Sequence, residues 1–119
     1  KSETRVLFIA YEHVIKRCEN ACKFHSQLVS NLLQMIALRA SQQANRIYVL
    51  SRNSTRKKIM AYLNSIAAEK QTKTVILPMS YTTLAEYLSV DRSAMMRELK
   101  NLADEGIIER DGKKLRILD

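Results

Sequence analysis

Basic and hydroxyl side chains recur at helical spacing between residues 92 and 100. Positions three or four apart lie on the same face of a helix, so these side chains would form one outward stripe. The stripe consists of Arg92, Ser93, Met96, Arg97 and Lys100. An arginine can donate two hydrogen bonds to a guanine, and a serine hydroxyl can bond to several bases. The pattern predicts that Arg92, Ser93 and Arg97 contact DNA base edges. It also predicts that Lys100 contacts a phosphate; the alternative is that Lys100 lies on a solvated face.

Further groups that could bind phosphate flank this stripe in the sequence. Hydroxyl and backbone N–H groups at a helix start, and lysines in an exposed turn, can donate to phosphate oxygens. They occur at the start of a predicted helix and in a predicted hairpin: Ser80, Tyr81, Thr82, Lys113 and Lys114. Arg110 and Arg116 flank the hairpin lysines. We expect these groups to hold a sugar-phosphate backbone without selecting a base sequence.

Two short predicted helices position the stripe. Each has one apolar face, formed by Leu84, Ala85 and Leu88 in the first helix and by Met95, Leu99 and Leu102 in the second. Ser80 and Asp91 are suitable N-caps for the two helices, and Ser89 lies in a tight turn between them. The small Ala85 permits a close crossing. The intervals from Ala85 to Ser89 and from Ser89 to Met95, four and six residues, are typical of a helix-turn-helix.

A hairpin is predicted directly after the second helix. Gly106 suits the left-handed residue that ends a helix. Residues 107–108 begin a strand, Asp111-Gly112 is a two-residue hairpin signal, and residues 113–118 form the returning strand. Such a hairpin would be the wing of a winged helix-turn-helix domain.

The longest helical pattern covers residues 24–50 and contains neither glycine nor proline. Side chains at spacings of three, four and seven form a seam, which consists of Val29, Leu32, Ile36, Gln43 and Leu50. Seams of this kind pair helices. A helix of about 27 residues extends about 40 Å, more than so small a domain can cover. We predict a homodimer through this seam; the alternative is an amphipathic helix that lies on the core of its own subunit.

Shorter elements complete the predicted architecture. Asn53 or Ser54 is expected to cap a helix that continues to about Glu69, and residues 74–77 are predicted as a short strand. The predicted fold class is mainly α with a small β wing: a long dimerisation helix followed by a winged helix-turn-helix domain.

The N-terminal residues predict a strand over Thr4–Ala10 and a short helix over residues 11–17. A lone strand needs a partner, and the sequence offers none nearby. We therefore expect a β-rich domain upstream of this segment.

Composition narrows the classes of protein that fit. Twenty Lys and Arg against twelve Asp and Glu give a net charge of +8, which favours a polyanionic partner. No apolar run is long enough to span a membrane, no signal peptide is visible, and two cysteines suggest a reducing compartment; we expect a cytoplasmic location and no membrane partner. No catalytic nucleophile, paired carboxylates or glycine-rich phosphate loop is recognisable, so we expect no enzyme.

Two other functions fit parts of the sequence. Cys18, Cys22 and His25 could bind zinc or iron in a metal or redox sensor. This cluster lacks a fourth ligand and its cysteine spacing is unusual for zinc, so buried thiols at a domain joint are the favoured interpretation and no metal is predicted. A winged helix could also serve purely as a protein-interaction module.

The stretch LAEYLSVDRSAMMRELKNLADEGIIERDGKKLRIL resembles the C-terminal domain of bacterial Crp/Fnr-type transcription regulators, the cyclic-AMP receptor protein family. The resemblance extends upstream through TRKKIMAYLNSIA and the long helix to TRVLFIAYEHVI, which is similar to the last barrel strand and hinge helix of the family's sensor domain. It implies three parts: residues 1–23 as the sensor remnant and hinge, 24–50 as the dimerisation helix and 51–119 as the DNA-binding domain.

The resemblance also implies a function. It implies a homodimer on a two-fold-related site in double-stranded DNA, with RNA polymerase as a further partner, and it assigns base contacts to Arg92, Ser93 and Arg97. Many members have Glu where Ser93 stands and Gly where Ser89 stands, so we expect a different half-site and a mildly strained turn. These residues contain no cyclic-nucleotide phosphate cassette; we expect no cofactor in this segment and assign no effector to the sensor.

Overall fold

The computed structural model describes residues 3–15 and 23–118. Five helices and three strands occur in these ranges: α1 (Tyr11–Ile15), α2 (Lys23–Leu50), α3 (Thr55–Lys70), β1 (Thr74–Ile76), α4 (Tyr81–Leu88), α5 (Arg92–Asp104), β2 (Ile108–Asp111) and β3 (Lys114–Ile117). The chain divides into two compact units, an N-terminal unit, Lys1–Gln42, and a winged unit, Gln43–Asp119. The winged unit contains α4, α5 and the β2–β3 hairpin, which confirms the predicted fold class.

In the N-terminal unit, residues 3–10 form neither a helix nor a strand. The strand predicted over Thr4–Ala10 is therefore wrong. A strand is stabilised by hydrogen bonds to a neighbouring strand, and the sheet found in the described residues contains only β1, β3 and β2. The helix predicted over residues 11–17 is confirmed for Tyr11–Ile15; residues 16–22 lie outside the described ranges.

Helix α2 confirms the long helix predicted from the sequence and begins one residue earlier, at Lys23. Val49, near its C-terminal end, is its buried residue. Phe24, Leu33 and Ile36 are exposed to 87%, 61% and 64%. A helix satisfies its backbone groups internally, so this segment can be helical while its apolar side chains remain uncovered.

Helix α3 is bounded by local hydrogen bonds at both ends. Ser54 has an extended backbone and its side chain accepts from the Lys57 N–H at 3.2 Å, which confirms it as the N-cap. Gln71 ends the helix in a left-handed conformation with φ 49°. The helix therefore continues one residue beyond the predicted end at Glu69.

A three-stranded antiparallel sheet completes the winged unit in the order β1-β3-β2. The sequence predicted the strands but not the pairing of β1 with β3. The hairpin turn is Gly112-Lys113, one residue later than the predicted Asp111-Gly112, because Asp111 pairs with Lys114. Gly112 has φ 54°, a conformation that glycine adopts without a steric penalty.

Apolar side chains from every element of the winged unit form one core. Its largest fully buried members are Val49, Ile59, Leu63, Val75, Leu84, Leu88, Met95, Leu99, Leu102, Ile108 and Leu115. Among the described residues, no charged or polar side chain is buried. The core thus fixes one face of α4 and of α5 and leaves the charged side chains of both helices at the surface.

Candidate nucleic-acid interface

Helix α5 has one buried face and one exposed edge. Met95, Leu99 and Leu102 are 0% exposed, because spacings of four and three place them on one side of the helix. The opposite side presents the side chains that the sequence predicted, and we call them the polar edge of α5: Arg92, Ser93, Arg97 and Lys100. Met96, which the sequence placed on this stripe, is half-buried against the core instead.

The cations of the polar edge are available to an anionic partner. Within the described ranges, the ion pairs involve Arg56 and Arg116 and none of the three cations of the edge. No carboxylate of the described residues therefore forms an ion pair with them, although the charge of Arg97 helps to lower the pKa of Asp91. Exposed guanidinium and ammonium groups in this state can bind phosphates or base edges.

Asp91 caps α5 and also binds the predicted base-contacting residue Ser93. Its Oδ1 accepts from the Ser93 hydroxyl at 2.6 Å and from the Ala94 N–H at 2.8 Å. These two bonds, the Ser93 bond first, hold the pKa of Asp91 below its ordinary value. A hydroxyl has one proton, so Ser93 offers a base only an acceptor while this bond lasts. An acceptor suits the exocyclic amine of cytosine or adenine.

The turn between α4 and α5 has a left-handed backbone at Ser89. This agrees with the mildly strained turn expected from a serine at a position where glycine is common. Ser89 has φ 51° and ψ 56°. The Val90 N–H donates to the Ala85 carbonyl at 3.0 Å. The ammonium of Lys58 donates to the Leu88 carbonyl at 3.1 Å and to the Ser89 carbonyl at 3.4 Å. Lys58 thus caps α4 and ties the turn to α3; sequence reasoning missed it, because 30 residues separate it from Leu88.

Arg56 of α3 binds two carboxylates, Glu98 in α5 and Glu105 at the C-cap of α5. Its Nε donates to Glu98 and its Nη1 donates to Glu105 at 2.9 Å. The bond from Arg56 holds the pKa of Glu105 below its usual value, and the two carboxylates raise the pKa of Arg56. Sequence reasoning missed this network. The seven-residue spacing of Glu98 and Glu105, which puts both on one helix face, was the signal that could have found it.

The start of α4 contains Ser80, Tyr81 and Thr82, as predicted, but two of these hydroxyls already have partners. The Ser80 hydroxyl accepts from the Thr83 N–H at 3.1 Å, which confirms Ser80 as the N-cap. The Tyr81 hydroxyl donates to the Gly112 carbonyl at 2.5 Å. Thr82 is exposed. Burial raises the pKa of the Tyr81 hydroxyl, although Arg110 acts in the opposite direction.

The wing presents Lys113 and Lys114 as exposed side chains at its turn. Arg116, which the sequence placed beside these lysines, lies on the exposed face of the sheet, where its Nη1 is 3.6 Å from a carboxylate oxygen of Glu109. The turn lysines therefore provide the positive charge at the end of the wing, and the charge of Arg116 is partly offset by its neighbour.

The predicted dimer seam lies along α2. Its members differ in exposure, with Val29, Leu32 and Leu50 half-buried and Ile36 and Gln43 exposed. Within the N-terminal unit, Val29, Leu32 and Ile36 line an apolar groove of about 890 Å³ together with residues that include Ile9 and Val14. The seam remains a prediction, now with an uncovered apolar surface beside it.

The predicted cysteine cluster falls largely outside the described ranges. Cys18 and Cys22 lie in residues 16–22, and His25 is half-buried near the start of α2. Among the residues that the structure describes, no three His, Cys, Asp or Glu side chains are arranged to hold a metal. A search of those same residues finds no helix that is long and apolar enough to cross a membrane.

Comparison with known proteins assigns a family to this geometry. The sequence model of the Crp-like helix-turn-helix domain matches residues 57–119, more than half of the chain. The chain belongs to this family. A Lacticaseibacillus casei protein named Probable transcriptional regulator flp is 39% identical over 70 residues, which cover 59% of this chain and 32% of that protein.

A solved Eubacterium rectale ATCC 33656 structure, described as a transcriptional regulator of the Crp/Fnr family, has a similar fold. It gives a TM-score of 0.53 at 24% sequence identity, over 76% of this chain and 42% of its own length. The chain thus spans less than half the length of either relative. The family match confirms the resemblance found in the sequence, and the Crp-like segment contains α4, α5 and the wing.

Proposed function

We propose that this Crp-like chain is the DNA-binding part of a sequence-specific transcription regulator that acts as a homodimer. The observation that carries the proposal is the polar edge of α5. Arg92, Ser93 and Arg97 are exposed along a helix whose opposite face is locked into the core. A helix of this kind can enter a major groove and place arginines against base edges.

In this mechanism the remaining contacts hold the duplex in place. The Thr82 hydroxyl, the backbone N–H groups at the start of α4 and the lysines at positions 100, 113 and 114 would bind phosphates, which strengthens binding without selecting sequence. Two subunits would insert their α5 helices in successive major grooves, about 34 Å apart. Arg56 and Lys58 would keep α5 and its preceding turn in a fixed orientation for this insertion.

Replacement of Arg97 by alanine tests the base-contacting role. The sites bound by the dimer are first selected from a random duplex library. We expect Arg97→Ala to weaken binding to these sites by roughly 1–3 kcal/mol and to relax selectivity at one position of each half-site. Lys70→Ala, which removes a positive charge outside α4, α5 and the wing, is the charge control. Unchanged affinity and unchanged footprints for Arg97→Ala would contradict the proposal.

The homodimer is proposed to form through the seam on α2. Exposed apolar side chains at the groove beside Val29, among them Leu33 and Ile36, support this, because adjacent exposed apolar side chains often mark an interaction site. We expect Ile36→Glu to weaken dimerisation by at least about tenfold, since the interface would bury an unpaired carboxylate. Gln34→Glu adds the same charge on the opposite side of α2 and should leave the dimer intact. Sedimentation equilibrium measures the dimerisation of both variants. Equal dimerisation of the two would show that the seam is not the dimer interface.

Three further points of the proposal rest on family membership and on the expectations from the sequence. The regulator would work in the cytoplasm, with RNA polymerase as a protein partner, and this segment would need no cofactor. Co-purification of the polymerase on promoter DNA bound by the regulator tests the partner directly. Polymerase recovery that does not depend on the regulator would contradict it.

A further inference from the structure

The start of α4 and the turn of the wing are joined by a single side-chain hydrogen bond. Tyr81 is the first residue of α4, and its half-buried ring packs against the core of the winged unit. Its hydroxyl reaches the carbonyl of Gly112, 31 positions later in the chain, and donates to it at 2.5 Å. A residue of the helix-turn-helix thus holds the outer turn of the hairpin.

The hairpin needs such support because it is short. Its strands contain four residues each, and an isolated two-stranded hairpin is marginally stable in water. Both carbonyls of the two-residue turn are held from outside the hairpin. The Leu77 N–H, just after β1, donates to the Lys113 carbonyl at 2.9 Å, and Tyr81 binds the Gly112 carbonyl. Tyr81 is the partner that contributes a side chain.

We infer that Tyr81 is a positioning residue, which fixes the wing turn so that Lys113 and Lys114 meet the phosphate backbone, and that it does not contact a phosphate itself. The hydroxyl has one proton, and that proton is bonded to Gly112. The oxygen then offers lone pairs only, and a phosphate oxygen is also an acceptor. A tyrosine hydroxyl is protonated at neutral pH, and burial raises the pKa of Tyr81 further. This inference rests on the proposed DNA-binding function.

A double-mutant cycle tests the inference. Tyr81→Phe keeps the ring and removes the hydroxyl. We expect it to weaken binding of the full chain to selected and to random duplexes alike, by roughly three- to tenfold, and to reduce the slope of log affinity against log salt by about 0.9 for each lost phosphate contact. In a Lys113→Ala/Lys114→Ala background, the same change should alter affinity by less than about twofold, since the contacts that it positions are gone.

A matched control keeps the cycle specific. Thr82→Val removes the exposed hydroxyl of the neighbouring residue, and its effect should be the same in the wild-type and double-lysine backgrounds. If Tyr81→Phe also had the same effect in both backgrounds, Tyr81 would bind DNA directly and the inference would be wrong. An unchanged affinity for Tyr81→Phe would overturn it too.

Hydrogen exchange without DNA separates this inference from the proposed function. In Tyr81→Phe we expect faster exchange of the backbone amides of residues 111–114, with the amides of α5 unchanged; equal exchange at the turn would overturn the inference whether or not DNA is bound. If the wing amides respond but no duplex binds the wild-type dimer, the proposed function fails, and the DNA role of Tyr81 fails with it.

Discussion

The two units of the chain use apolar side chains in opposite ways. In the winged unit, the buried core residues extend from Val49 to Ile117 and come from every helix and strand. In the N-terminal unit, no residue whose side chain the structure describes is buried. Phe8 and Phe24 are exposed to 91% and 87%.

This difference shows that an apolar pattern in a sequence can specify either a core within its own unit or a surface for a partner. In the winged unit, the apolar residues pack against one another in one core, so contacts within the unit specify its fold. The apolar residues of α2 in the N-terminal unit also have helical spacing, but several of them, Leu33 and Ile36 among them, remain exposed. Exposed apolar surface of this kind typically marks an interaction site. We therefore expect the winged unit to fold alone and the N-terminal unit to depend on a partner surface.

Truncation of one leucine in each unit should give the largest difference in stability between the two units. Leu99 is 0% exposed in α5 and Leu33 is 61% exposed in α2. We expect Leu99→Ala to lower the free energy of unfolding by roughly 2–5 kcal/mol, because it leaves a cavity in a closed core. Leu33→Ala should change it by less than about 0.5 kcal/mol. Urea unfolding of both variants, at a concentration at which the chain is monomeric, measures this; a large loss for Leu33→Ala in the monomer would reveal a separate core in the N-terminal unit.

The same contrast explains what could be predicted from the sequence. The N-caps Ser80 and Asp91, and Ser54 as one of two candidates with Asn53, could be predicted because a cap bonds to an N–H only three residues away. The turn lies one residue later than predicted because Asp111 pairs with Lys114. The pairing of β1 with β3 was missed because no local pattern contains it. The strand over residues 4–10 was wrong because apolar residues suit a strand only where another strand is present.

The contacts that stabilise the candidate site could not be predicted at all. Arg56 reaches Glu105, Lys58 reaches Leu88 and Tyr81 reaches Gly112 across 30 to 49 positions. Surface arginine, lysine and tyrosine residues have many possible partners, and only the tertiary fold selects among them. The polar edge of α5 was predictable because it depends on a single helix period.

A glycine in the turn of the helix-turn-helix should stabilise the winged unit. Ser89 adopts a left-handed conformation that costs a residue with a side chain more than it costs glycine. We expect Ser89→Gly to raise the free energy of unfolding of the winged unit by about 0.5–1 kcal/mol. Ser89→Val, which adds a β-branched side chain at the same φ, should lower it. Thermal unfolding measures both; a loss of stability for Ser89→Gly would mean that the turn is unstrained.

Lowering the pH should destabilise the winged unit through Glu105, and this is the smallest of the expected effects. Its pKa is held below the ordinary glutamate value by the bond from Arg56. A depressed pKa means that the carboxylate stabilises the folded state above the ordinary pKa, and that this contribution is lost as the pH falls through the depressed value. The melting temperature of Glu105→Gln should therefore lie below that of the wild type at pH 7, and the two should converge as the pH falls through the depressed pKa of Glu105.

A charge-matched variant shows whether this acid effect comes from the link between α3 and α5. Glu86 is exposed on α4 and forms no ion pair with any described residue. Glu86→Gln should melt close to the wild type at pH 7, because it breaks no contact between helices. If Glu86→Gln lowered the melting temperature as much as Glu105→Gln, the effect would be one of net charge. The Arg56 network would then have no particular part in holding α5 against the core.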